Sequence, residues 1–196
     1  MNTQTQRSNY GLSLESDQRR KLQRELLVAA RAELGDREAR EQALRGHVTE
    51  WLTRAEVRAV GFYWPIRGEP DLRSVIADWL AADERRVAAL PVVSGDVLSF
   101  HAWARDAPMR AAEFGIPVPA HGRPVQPDCV LIPCVGFDTR RYRLGYGGGY
   151  YDRTLAQTVP WPLCVGIAFE ATRVQTIEPQ AHDIALDAVI TDAAIY

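Results

Sequence analysis

Two amphipathic stretches open the chain, and short apolar runs follow them. Residues 16–33 place Leu22, Leu26 and Ala29 at steps of four and three, the spacing of one helical face. Residues 37–54 repeat the pattern with Leu44, Val48 and Leu52. Together they predict an N-terminal helical segment over 16–54, preceded by a disordered tail over 1–15 that begins MNTQTQRSNYG. Then the period changes. Residues 57–64, 86–93, 129–133 and 163–169 are short, apolar and partly β-branched, as strands buried on both faces would be. Residues 70–82 predict a helix with Pro70 in its first turn and Leu72, Val75, Ile76 and Trp79 facing inward. A second helix begins near Gly149 and runs through Leu155, residues 97–103 return as a hairpin arm, and residues 188–190 form a terminal strand. The proline-rich residues 104–128 read as a long surface connection with little regular structure of its own. Strands alternating with helices make this one α/β domain over 1–196 with a mostly parallel sheet.

Composition narrows the function. A chain with 46% hydrophobic and 24% charged residues is an ordinary globule. Its formal net charge of −2 offers no footprint for nucleic acid or an anionic membrane. Cys129, Cys134 and Cys164 lack metal-ligand spacing and read as buried, reduced thiols of a cytoplasmic protein. The polar N-terminus is neither a signal peptide nor a membrane span. No obligate protein partner is evident.

The chemistry concentrates in "RLGYGGGYYDR", residues 143–153. It follows the strand at 129–133 and opens a helix, and ligands of open α/β sheets bind beyond the carboxyl ends of the strands. Glycines there present backbone N–H groups without side chains in the way, and the helix dipole favours an anion. Arg140, Arg141 and Arg143 add positive charge. The spacing is neither G-x-x-x-x-G-K-[ST] nor G-x-G-x-x-G. A flexible tight turn is the plainer alternative. The arginines, the aromatics and the terminal Asp152 favour a phosphate cradle.

These residues carry a resemblance. "GFD…RLGYGGGYYDRTL", then "VGIAF" and "HDIALDAVIT", resemble the 5-formyltetrahydrofolate cyclo-ligase family, and "GFYWPIRGEPDLRSVI" and "EFGIPVP" are similar to its first strand and mid-chain element. The resemblance implies a cytoplasmic enzyme that uses ATP and Mg²⁺ to convert 5-formyltetrahydrofolate to 5,10-methenyltetrahydrofolate, releasing ADP and phosphate. It also implies a three-layer α/β/α fold akin to sugar-phosphate isomerases and coenzyme A transferases, with the N-terminal helices packed on it.

Site residues follow from the same resemblance. Arg143, Leu144, Gly145, Tyr146, Gly147, Gly148, Gly149, Tyr150 and Tyr151 would cradle ATP, and Tyr146 through Tyr150 would also face the folate. Asp152 and Asp187 match metal positions; alone, Asp152 reads as a helix-start acid and Asp187 as a loop acid. Glu69 matches a folate-binding glutamate near the reacting amine and joins Arg143 as a catalytic candidate. Its alternative is a surface acid beside the helix begun by Pro70. Trp64 matches a substrate-lining position or is a core anchor. Family members carry basic residues at i and i+4 on the first helix, here Arg20/Arg24 or Arg19/Gln23. At about 100° per residue, Arg20, Arg24 and Arg31 share a ~40° arc opposite Leu22, Leu26 and Ala29, which selects Arg20 and Arg24. His182 and Asp183 read as structural. Tyr142, where a glycine is common, and Gly148, where some members have lysine, depart from the family pattern. An ATP-independent isomerase or transferase of the same fold group, and a non-catalytic folate or nucleotide binder, are the competing classes.

Overall fold

A computed structural model describes residues 3–196 of the chain, with side chains in the first helix described from Glu15 onward. In chain order the elements are α1 (Thr3–Ala32), α2 (Arg37–Arg54), β1 (Ala59–Gly61), α3 (Arg73–Ala81), β2 (Val87–Ser94), β3 (Val97–Trp103), β4 (Met109–Ala111), β5 (Pro117–Pro119), β6 (Pro124–Val125), β7 (Cys129–Pro133), β8 (Gly136–Asp138), β9 (Arg143–Leu144), α4 (Tyr150–Gln157), β10 (Leu163–Ile167), β11 (Arg173–Val174) and β12 (Ala188–Ile190). The central sheet runs β12-β10-β7-β1-β2-β3-β6. Its first four pairings, β12 through β2, are parallel, and β3 and β6 add antiparallel edges.

Strand periodicity explains why this sheet needs cover on both faces. In β7, Cys129 and Leu131 join a core with Leu44, Val48 and Leu52 of α2 and Val75, Ile76 and Trp79 of α3. Val130 and Ile132 point the other way, into a core with Phe100, Cys164 and Leu155 of α4. Successive side chains face opposite layers, so a strand between two helical layers reads as a continuous apolar run. Burying each such side chain stabilises the fold by about 1.5–3 kcal/mol. The result is the expected three-layer α/β arrangement. The helix α1 packs elsewhere, against a small sheet ordered β11-β8-β9, through Leu27, Val28, Val135, Leu144 and Val174.

Four expectations need correction. The inward face of α1 is not the one carrying Leu22, Leu26 and Ala29: Leu22 and Leu26 are 58% and 62% exposed. Leu27 and Arg31 are buried instead, with Arg20 and Arg24 half-buried beside them. Each of those arginines has an acid, a carbonyl or a hydroxyl as partner, which offsets much of the cost of burying it. Helix α3 starts at Arg73, not Pro70, because Asp71 Oδ1 accepts the Arg73 N–H at 3.0 Å and turns the chain first. Residues 104–128 are more regular than expected, since β4 pairs with β5 and β6 pairs with β3. Their prolines sit in edge strands, where a missing N–H is tolerated. Finally, α1 is continuous from Thr3, ahead of the predicted start at 16, while the expected disordered tail falls almost wholly on residues outside the described side chains.

Candidate active site

Beyond the carboxyl end of β1 the chain folds back on itself. Tyr63 Oη donates to the Pro70 carbonyl at 2.8 Å, and the Glu69 N–H donates to the Ile66 carbonyl at 2.9 Å. Arg67 (φ 47°) and Gly68 (φ 75°) make the reversal in left-handed conformation, which at a non-glycine residue costs about 1–2 kcal/mol. The N-terminal helices hold this strained turn: Arg31 Nη2 donates to the Arg67 carbonyl at 3.0 Å and Arg37 Nη2 to the Gly68 carbonyl at 2.8 Å.

Glu69 emerges from this turn only 4% exposed. Its Oε2 accepts the Ile66 N–H at 2.9 Å, while Oε1 is buried with no hydrogen-bond partner. Burial pushes the carboxyl up to about 7; the Ile66 N–H, the Arg31 charge, the nearby Tyr146 hydroxyl and the Arg67 charge pull the other way. This is not the surface acid of a helix start, since α3 begins four residues later. Among the described residues, Glu69 Oε1 shares this buried, unpartnered state with Arg31 Nε, Trp79 Nε1 and Arg143 Nη1, and a carboxylate oxygen left so is a candidate for a ligand.

The glycine segment closes the other side. It leaves β9, turns through residues 145–149 and enters α4 with Gly149 as its N-cap. Gly147 (φ 94°) and Gly149 (φ 65°) occupy backbone space that side chains disfavour. Arg24 Nε donates to the Gly145 carbonyl at 2.6 Å, and a Cβ on Gly147 would lie 3.4 Å from the Arg24 guanidinium. Arg143, 6% exposed, places Nη2 at 2.8 Å from Asp152 Oδ1. Its Nη1 is buried without a partner. Asp152 Oδ1 also accepts the Ile184 N–H at 3.3 Å, so both of these contacts use one oxygen and leave Oδ2 for a cation.

The structure therefore gathers Glu69, Arg24, Arg143, Asp152 and the segment from Gly145 to Tyr151 at one edge of the sheet. Leu144 contributes its main chain only, because its side chain is in the core. Trp64 packs against the core and, with Arg73 stacked 4.4 Å from its ring centroid, lines an open cavity of about 330 Å³ that Glu69, Arg143 and the glycine segment do not line. Arg20 is already engaged, with Nη1 at 2.5 Å and Nη2 at 3.2 Å from the two Asp183 oxygens, so Asp183 is structural as expected. Asp187 stands apart. Its Oδ2 accepts the Cys164 N–H at 2.7 Å and it immediately precedes β12, at the amino ends of β10 and β12. No group of three His, Cys, Asp or Glu side chains able to hold a metal occurs among the described residues.

Comparison with known proteins gives the family. The model of the 5-formyltetrahydrofolate cyclo-ligase family matches residues 15–192. The chain belongs to that family. It is 28% identical over 156 residues to the 5-formyltetrahydrofolate cyclo-ligase of Haemophilus influenzae, covering 74% of this chain and 82% of the relative. The corresponding protein of Mycolicibacterium smegmatis is 29% identical over 167 residues, covering 79% and 83%. Among solved structures, the 5,10-methenyltetrahydrofolate synthetase of Aquifex aeolicus superposes with a TM-score of 0.74 at 29% identity, covering 90% of this chain and 91% of that one. The synthetase of Mycoplasma pneumoniae shares the fold with a TM-score of 0.73 at 24% identity, covering 88% and 98%. Fold, family and ligase class stand as the sequence implied. No described helix is long and apolar enough to cross a membrane.

Sequence reasoning missed the support beneath the site. Arg31, Arg67, Tyr63 and Cys134 surround Glu69 and were not among the candidates. One signal was available, since Arg31 shares the arc of Arg20 and Arg24.

Proposed function

We infer that this chain catalyses the ATP-dependent closure of 5-formyltetrahydrofolate to 5,10-methenyltetrahydrofolate, with release of ADP and phosphate. The observation that carries the reading is that two of the four buried, unpartnered side-chain atoms among the described residues, Glu69 Oε1 after β1 and Arg143 Nη1 in β9, are an acid and a base that flank the glycine segment. One suits a proton of the folate and the other a phosphate oxygen.

The formyl group of the substrate is an amide whose oxygen leaves poorly. Transfer of the γ-phosphoryl group to that oxygen makes phosphate the leaving group. The N10 nitrogen then attacks the formyl carbon, the carbon–oxygen bond breaks, and the N10 proton is lost as the ring closes. Phosphoryl transfer needs positioning and charge stabilisation more than covalent help. Arg143, Arg24 and the N–H groups of the glycine segment are placed for that work. Glu69 has the right chemistry for the proton, because a carboxyl near pH 7 both accepts and returns one under working conditions. Tyr146 and Trp64 offer flat apolar surface to the pterin.

Mg²⁺ would neutralise phosphate charge, with Asp152 Oδ2 as a hard oxygen ligand of the type the ion prefers. Asp187, the second expected ligand, would have to serve while its Oδ2 accepts the Cys164 N–H. The three buried free thiols support a cytoplasmic setting.

The test is the absorbance of methenyltetrahydrofolate formed from 5-formyltetrahydrofolate with and without ATP. Product only with ATP supports the reading. Product without ATP points to another enzyme of the fold group, and no product at all points to a binder.

A further inference from the structure

Arg31 is among the largest fully buried side chains, at 1% exposure, and lies on a helix whose apolar residues Leu22 and Leu26 face solvent. Burying a guanidinium is costly unless its donors are used. Here Nη2 donates to the Arg67 carbonyl at 3.0 Å and to Tyr146 Oη at 2.6 Å, and Nη1 reaches the Cys134 carbonyl at 3.4 Å, while Nε is buried without a partner. These acceptors belong to three different segments: the strained turn before Glu69, the glycine segment, and the exit of β7. The Tyr146 ring lies near two guanidinium groups, 5.9 Å from Arg31 and 5.2 Å from Arg67. Among the described residues no carboxylate forms a salt bridge with Arg31. Its charge is felt by Glu69 across the site.

We propose that Arg31 is the positioning residue of this site, a buried cation that clamps the turn bearing Glu69 to Tyr146 and supplies positive charge there. The assignment rests on the functional reading above for what Glu69 does, but the clamp itself is a matter of this chain's geometry. The groups facing Glu69 are Arg31 from α1, Tyr63 and Arg67 from the turn after β1, Cys134 after β7, Tyr146 from the glycine segment and Tyr151 from α4. Only Arg31 and Arg67 among them are cations, and Arg67 belongs to the turn that Arg31 holds. Removing Arg31 thus withdraws one of two positive charges and frees the main chain that carries the other.

Two variants separate charge from clamp. Arg31→Met removes both, and Arg31→Lys keeps the charge but loses the planar fork that reaches several acceptors at once. In Arg31→Met the acidic limb of the pH profile should move up by about one unit, the scale of a lost opposite charge. In Arg31→Lys the limb should stay within about 0.3 of wild type, while kcat falls about 10- to 100-fold and the KM for ATP changes less than threefold, as expected of a small misplacement. A buried residue of merely structural value would lower stability without moving the limb. A wild-type limb in folded Arg31→Met, or wild-type kcat in Arg31→Lys, would overturn the proposal; if Arg31→Met does not fold, Arg31→Lys decides it alone. A second readout does not depend on turnover. The Glu69 carboxyl carbon, labelled with ¹³C and assigned by its absence in Glu69→Gln, should titrate about one unit higher in Arg31→Met. An unmoved titration overturns the proposal by removing the charge role, whereas a moved one in a chain that turns over no folate sinks only the functional reading.

Discussion

Glu69 and Asp187 lie at opposite edges of one parallel sheet, and the sequence offered both as site residues. Glu69 is buried beyond the carboxyl end of β1 with one oxygen unpartnered and its carboxyl raised to about 7. Asp187 is exposed, sits before β12 and spends an oxygen on the Cys164 N–H that begins β10. The first arrangement costs folding free energy and gains nothing within the chain. The second satisfies a main-chain donor and strengthens the start of a strand. Acids that the fold leaves unsatisfied are the ones reserved for a ligand.

Replacing each acid by its amide tests that contrast. Glu69→Gln should slow methenyl formation in single turnover about 10²- to 10⁴-fold, the scale of general acid–base help. Turnover within threefold of wild type would make Glu69 a binding residue only. Weakened nucleotide affinity should be the next largest effect. A Cβ on Gly145 meets nothing within 4 Å, so Gly145→Val leaves the apo fold undisturbed. It should nevertheless weaken ATP binding at least about tenfold if phosphate approaches the backbone there. Unchanged affinity by calorimetry would mean that the segment serves its turn and not the nucleotide.

Stability should move in the opposite direction to activity. The folded carboxyl of Glu69 titrates near 7 against an ordinary 4.5, so the folded chain binds the extra proton between those values. Stability from this group is therefore complete below about 4.5, falls as pH rises towards 7 and is flat above. Glu69→Gln lacks that loss. Its melting temperature should gain on wild type through this window, reaching about 1–3 kcal/mol of added stability at pH 8. A constant difference across pH would show that the carboxyl is not perturbed. The smallest effects belong to the two aspartates. Asp152→Asn should raise the Mg²⁺ concentration giving half-maximal rate several-fold, while Asp187→Asn should change that concentration less than twofold, because its amide oxygen still accepts the Cys164 N–H. Equal shifts in a Mg²⁺ titration would put Asp187 back beside Asp152.

Much of the fold was legible because its signals are local. The runs of β7 and β10 are apolar on both faces since helices cover both, and α4 starts where the glycines end. What escaped depends on partners far along the chain. Periodicity counts apolar residues, so it chose Leu22 and Leu26 as the inward face of α1. The true inward face is polar and becomes favourable only when Asp183, Gly145 and Tyr146 arrive to receive its arginines. The same limit hid Arg31, whose value lies in three acceptors from three segments. Glu69 was found through its motif, but its burial was not, because Pro70 looked like a helix start and Asp71 had already set the turn.

The bond between Arg31 and Tyr146 spans 115 positions of sequence. Closing a loop of that length costs chain entropy that no local contact repays in advance. During synthesis the guanidinium of Arg31 leaves the ribosome long before the hydroxyl it will hold. Until then it stays in water, and the turn that bears Glu69 lacks one of its anchors. Strands can pair and helices can pack while the pocket is still unmade. The clamp is therefore a late event in the maturation of this chain, possible only once its first helix can meet its glycine loop.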